Sequence, residues 1–174
     1  MNLRLAAIAL GAVAILGCSP SQGDPVAGST GRTPGAAPAQ PETHPESGLA
    51  VIPLSVSNGK QVHRFRVELA QSRFEQAKGL MFRTAMGPDE GMLFPLDPHR
   101  QASFWMRNTV IPLDIVFIGE DRRILNIEAE AVPYSEDQRR SEGVAAAVLE
   151  LNGGRAAELG IGPGDRVDWK LAAP

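Results

Sequence analysis

The densest chemistry in the chain lies between Phe104 and Asp114, where an aromatic pair, a cation, an amide, a hydroxyl and a carboxylate crowd around Pro112. If Phe104 to Asn108 runs extended, a period of two puts Trp105 and Arg107 on one face and Phe104, Met106 and Asn108 on the other. An indole beside a guanidinium suits a sugar ring or a planar ligand bearing an anion. Stacking holds the apolar face, and a charge-assisted bidentate hydrogen bond fixes the polar edge. Trp105, Arg107, Asn108 and Asp114 are therefore the candidate ligand-binding residues. The same residues also have a structural use, with Trp105 in the core and Arg107 and Asp114 paired with each other or bonded to loop backbone around the proline.

Two other chemistries compete with this one. A carboxylate pair such as Asp114 with Glu90 or Glu150 could serve as acid and base on a glycoside, which makes a carboxylate-dependent hydrolase one alternative. Met81, Met86, Met92 and Met106 lie in the central region with His99 and Trp105, and soft thioethers with an imidazole can hold Cu(I), so a periplasmic Met/His copper-binding protein is another. Met81, Met92 and Met106 sit in apolar blocks where methionine fills core gaps, leaving Met86 and His99 as two accessible donors. We therefore expect no metal site and no cofactor. The nucleophile elbow, the zinc-protease helix and the phosphate-binding loop have no match in the chain. Gly160, Gly162 and Gly164 follow a helix instead of a strand, so they are turn punctuation and not a dinucleotide fingerprint.

These residues need elements to hold them. His63, Phe65, Val67 and Leu69 alternate with polar residues, as in a strand with one wet face. Leu113 to Ile118 is uninterrupted and reads as a strand buried on both faces. The turn at Gly119-Glu120-Asp121 and the alternation of Leu125, Ile127 and Ala129 complete a hairpin. Further strands are expected at Gly91 to Phe94, Ala102 to Met106, Val144 to Leu151 and Arg166 to Lys170, although Ala145-Ala146-Ala147 is equally compatible with helix. Ser72-x-x-Glu75 is a capping box that opens a helix over Arg73 to Lys78, with Phe74, Ala77 and Met81 on one face and Gly79 at its end. A second helix spans Arg155 to Leu159, stops at Gly160 and precedes a type II turn at Pro163-Gly164.

Of the 174 residues, 43% are hydrophobic and 21% charged, with a net charge of -3, so the clustered cation surplus of a nucleic-acid binder is absent. Arg4 and the apolar run Leu5 to Leu16 read as a signal peptide, too short to span a bilayer. The run ends in Ile15-Leu16-Gly17-Cys18, which is similar to the lipobox of bacterial lipoproteins. That similarity implies lipidation of Cys18, membrane attachment through it and, with Ser19 following in a diderm bacterium, outer-membrane sorting facing the periplasm. Cys18 is the single cysteine, which agrees with acylation in an exported chain. Ser19 to Gly48 is rich in Pro and Gly and lacks aromatics, so it is expected to be a disordered stalk. One domain then runs from about Leu49 to Pro174.

Six blocks within that domain come in a characteristic order. They are Gly79-Leu80-Met81-Phe82-Arg83, Gly91-Met92-Leu93-Phe94, Phe104 to Thr109, Ile111-Pro112-Leu113-Asp114-Ile115, Ala131-Val132-Pro133-Tyr134 and Leu159-Gly160-Ile161 through Asp165. Together they resemble domain-of-unknown-function family 192 (DUF192), from about Phe65 to Val167. The resemblance implies a mainly β, jelly-roll-like sandwich or barrel with one or two short helices, often on exported proteins, and brings no activity with it. Arg107 stands where lysine is common in that family, exchanging a point donor for a planar fork. The combined expectation is a lipid-anchored envelope protein acting as a small-ligand-binding or accessory module.

Overall fold

Alternating apolar residues build the first hairpin. Strand β1 (Val51–Ser57) pairs antiparallel with β2 (Val62–Leu69), placing Leu54 opposite Phe65 and Ile52 opposite Val67, all four buried. A computed structural model describes residues 42–171 and continues from β2 through helix α1 (Arg73–Lys78), β3 (Glu90–Phe104), β4 (Leu113–Gly119), β5 (Ile124–Ala131), β6 (Arg139–Asn152), helix α2 (Arg155–Leu159) and β7 (Arg166–Trp169). The strands form one sheet in the order β5-β4-β6-β3-β2-β1-β7, with β2 and β3 parallel and the other pairs antiparallel. It curls into a half-barrel, so the mainly β expectation holds as a single curved sheet. The two edges meet at one end, where Ile124 N–H donates to Asp165 O and Val167 N–H to Arg122 O.

The curl divides the apolar residues into two layers. Val116, Ile118, Leu149 and Leu151 pack with Leu54, Phe65, Ile124 and Val167, residues drawn from both sheet edges, and so fill the inside. Ile115, Phe117 and Val148 point the opposite way and pack with Phe94, Leu80, Met106 and Ala131. Covering the second layer makes β4 and β6 central strands buried on both faces, as expected of Leu113 to Ile118.

Local signals set the helices where the sequence places them. Ser72 Oγ accepts from Glu75 N–H at 3.2 Å, and Glu75 Oε2 accepts from Ser72 N–H at 2.7 Å, which closes the capping box. Those backbone bonds hold the Glu75 carboxyl below its ordinary range, the Ser72 amide contributing most. Gly160 ends α2 in the left-handed conformation, and Gly164 has the positive φ that a type II turn requires.

Three expectations need correction. The separate strands at Gly91–Phe94 and Ala102–Met106 are one long strand, β3, whose register against β6 shifts between Pro95 and Arg100. The prolines interrupt the ladder without ending the strand. β3 stops at Phe104, so Trp105, Arg107 and Asn108 belong to a loop. Phe74 is 79% exposed, and no residue of α1 is buried. Residues 42–48, stalk by composition, pack on the domain. Thr43 bridges Ala50, Glu46 pairs with Arg83 Nε at 2.7 Å, and Ser47 Oγ bonds Glu68. They close over a buried bidentate pair in which Arg83 reaches the two Glu68 oxygens at 2.8 and 3.1 Å. The signal peptide, Cys18 and the remainder of the stalk, residues 19–41, lie outside the described residues.

Candidate functional site

Glu150 sits in the middle of the sheet, between Met92 of β3 and Ile115 of β4, both without exposure. Alternation places it on the outer layer beside Val148. A carboxylate there loses its hydration, and no nearby cation or donor offsets the loss, so burial pushes its pKa up to about 8. At neutral pH it is a carboxylic acid able to donate a hydrogen bond. The close approach of β3 depends on Gly91, where an added Cβ would lie 2.5 Å from the Glu150 carbonyl oxygen.

Glu150 opens onto a cleft of about 390 Å³. Its buried wall includes Phe94, which meets Phe104 edge to face at 5.2 Å, and Phe104 in turn meets Phe117 at 6.2 Å. Trp105 and Arg107 line it from the loop after β3, Lys78 from the end of α1 and Arg100 from β3. Among the described residues Glu150 is the one acidic residue lining this cleft, so at neutral pH the lining carries three cations and no carboxylate, although Arg107 also has Glu136 within reach. The local charge is opposite to that of the chain.

The loop that presents Trp105 and Arg107 is fixed at both ends. Met106 is wholly buried and its N–H donates to Ser135 O at 2.8 Å, while Thr109 N–H donates back to Met106 O at 3.0 Å. Anchoring Met106 inward turns its neighbours outward, so the shared face expected for Trp105 and Arg107 survives although the strand does not. The guanidinium carbon stands over the indole, 5.5 Å from its centroid, and Trp105 is 41% exposed. Arg107 also reaches Glu136 at 3.7 Å, a wet contact that leaves its donors exchangeable.

The other two candidates have different places. Asn108 does not line the cleft. It takes a positive φ of 56°, which asparagine tolerates, and its amide reaches Met81 Sδ at 3.8 Å. Its role is to shape the loop. Asp114 is fully buried on β4 and accepts from the backbone N–H groups of Glu130, Gly154 and Ala156 at 2.8, 2.9 and 2.8 Å. Helix α2 begins at Gly154, which has no side chain to cap it, and Asp114 supplies the missing acceptor. Asp114 lies outside the cleft lining, and its carboxylate is occupied by backbone.

The carboxylates weighed as an acid and base pair do not converge. Glu90 accepts from Gly87 N–H at 2.7 Å and borders a separate cavity of about 20 Å³. Met92 and Met106 are core residues, while His99 is engaged with Glu120 at 2.8 Å. The site residue underweighted by the sequence is Glu150. Its setting between Leu149 and Leu151 imitates a water-facing strand position, and only the pairing of β6 with two neighbours reveals the second buried face.

Similar folds are known. The chain is similar to a crystal structure of a protein of unknown function from Novosphingobium aromaticivorans DSM 12444, with 57% identity over 76% of this chain and 94% of that one and a TM-score of 0.73. It is also similar to a protein provisionally described as a transcription regulator from Sinorhizobium meliloti 1021, with 40% identity over 70% and 95% of the two chains and a TM-score of 0.68. No curated protein matches the chain significantly. The DUF192 family model, described as an uncharacterized ACR, matches residues 54–169, a span that holds every strand of the curled sheet except the start of β1 together with the whole cleft; the chain belongs to the DUF192 family.

Proposed function

We propose that this is a lipid-anchored protein of the cell envelope whose β domain binds a small anionic, ring-bearing ligand in the cleft above Glu150. The observation that carries the reading is the grouping of Lys78, Arg100 and Arg107 around a cavity on an acidic chain, beside an exposed indole. Long-range attraction concentrates an anion there, the indole takes the apolar face of a ring, and the Arg107 fork fixes a carboxylate or phosphate. Neutral Glu150 gives the buried end of the ligand a hydrogen-bond donor. In this reading nucleic acid is not the ligand, because three cations cannot track a polyphosphate backbone on a chain of net charge -3. The lone Cys18 after an apolar run supports the anchor and the envelope location.

Amide chemical-shift mapping with galacturonate, glucose 6-phosphate and glucose tests the cleft. Shifts centred on Trp105 and Arg107 are expected with the two anions and weaker ones with glucose. Arg107→Ala should weaken anion binding by about tenfold to a hundredfold, the worth of a hydrogen bond to a charged group. Absence of cleft shifts with both anions would overturn the reading.

A further inference from the structure

Three loops meet beside the cleft and lock one another by backbone bonds. Phe82 N–H donates to Asn108 O at 2.9 Å, Tyr134 N–H to Thr109 O at 3.2 Å, and Met106 N–H to Ser135 O at 2.8 Å. Each loop holds a non-glycine residue at positive φ: Phe82 at 65°, Asn108 at 56° and Tyr134 at 62°. Such backbone is unfavourable for residues with a side chain and persists only where the surroundings enforce it. Asparagine suits that backbone, but a phenylalanine and a tyrosine do not. Burial does not offset the cost either, since Phe82 is 67% and Tyr134 61% exposed. The fold therefore tolerates strain to hold two aromatic rings in water.

The surface around them is continuous with the cleft. Lys78, Gly79 and Met81 line both the cleft above Glu150 and a second cavity of about 440 Å³, whose other border includes Phe74 and Phe82. Tyr134 is tied to Thr109, itself part of the cleft lining and the neighbour of the Asn108 that holds Phe82. Two exposed aromatic residues thus hang from one loop at the edge of a cleft lined by cations.

We propose that this surface takes an acidic oligosaccharide, with one sugar ring in the cleft and its neighbours against Phe82 and Tyr134. The inference rests on the reading of the cleft as an anion-binding site and extends it to a chain of rings. Exposed rings beside a few cations match a polymer whose charges are spaced and whose units each present an apolar face. Single-stranded nucleic acid also stacks on aromatics, but its charge at every unit calls for a cationic groove that this net-acidic chain lacks.

The test compares galacturonate with tetragalacturonate by calorimetric titration of the full chain and of Phe82→Asn and Tyr134→Asn. Asparagine accepts the positive φ, so these variants remove the rings and keep the loops, which melting temperatures within a few degrees of wild type would verify. Tetragalacturonate should bind at least about tenfold more tightly than the monomer, and each variant should lose about fivefold to tenfold for the tetramer while monomer affinity stays within about twofold. Equal affinity for monomer and tetramer, or variants that bind the tetramer as wild type does, would overturn the extended surface and leave the cleft intact. Failure of both sugars to bind would overturn the cleft reading and the inference with it. Binding of a dT tetramer as tight as tetragalacturonate, with the same losses in the variants, would overturn the assignment to a glycan.

Discussion

Replacing Glu150 with glutamine should change how stability depends on pH. In the folded protein burial raises this carboxyl from 4.5 to about 8, whereas in the unfolded chain it returns to the ordinary value. Between those limits the folded state keeps a proton that the unfolded state releases, so stability falls as pH rises and the fall ends once the folded protein also deprotonates. At about 1.4 kcal/mol per pH unit across some three and a half units, the full loss is about 5 kcal/mol. No solvent discount applies, because Glu150 is only 5% exposed. Glu150→Gln keeps the shape and removes the proton equilibrium. Urea denaturation of both proteins at pH 5, 6, 7 and 8 should show the variant gaining on wild type, by about 3 kcal/mol between pH 5 and pH 7. Taking the difference at each pH cancels the titration of the histidines and of the other carboxylates. A difference that stays flat to within about 1 kcal/mol over this range would show that Glu150 is ionised and hydrated in the fold, and the account of its surroundings would fail. The same substitution bears on ligand binding. Above pH 8 the wild-type cleft gains a carboxylate that repels an anion, so affinity should drop there in wild type and hold in the variant.

Three further outcomes follow from named contacts. Asp114→Asn should cost about 2 to 3 kcal/mol by turning an amide against backbone donors, while Arg107→Ala should stay within about 0.5 kcal/mol and the two should add independently; coupling between them in a double-mutant cycle would contradict their separation. Arg83→Ala strands the buried Glu68 carboxylate and should cost about 3 to 5 kcal/mol by chemical denaturation, whereas a loss under about 1 kcal/mol would mean that the pair is hydrated. Cys18→Ala should abolish lipoprotein processing and membrane partitioning, and a variant that still sediments with membranes after a high-salt wash would refute the anchor.

What the sequence could settle alone is what a few neighbouring residues decide. The capping box at Ser72 and Glu75, the left-handed stop at Gly160 and the turn at Gly164 involve bonds within one turn of chain, and each stands where its spacing predicts. The period of two likewise marks β2 and β5, and the uninterrupted apolar run marks β4, because a strand's faces follow from its own residues. The family blocks carry the fold class for the same reason, each being a short local pattern. The candidate site was legible by half. Trp105 and Arg107 do share a face, but through the inward anchor of Met106 instead of through a strand.

The rest depended on residues far apart in the chain. Asp114 reads as a site carboxylate until α2, 40 positions later, is seen to place its first amides against it. Glu150 reads as a wet strand position until β6 is found between β3 and β4 with its outer face covered, which both buries the carboxyl and supplies the apolar surroundings that keep it protonated. Phe82 and Tyr134, 52 positions apart, come to one surface only because the loop at Asn108 and Thr109 gives each of them a carbonyl. Local hydrogen bonds and periodicity are written within a few residues. Desolvation and the meeting of loops are properties of which strands pair, and the tertiary structure alone decides that.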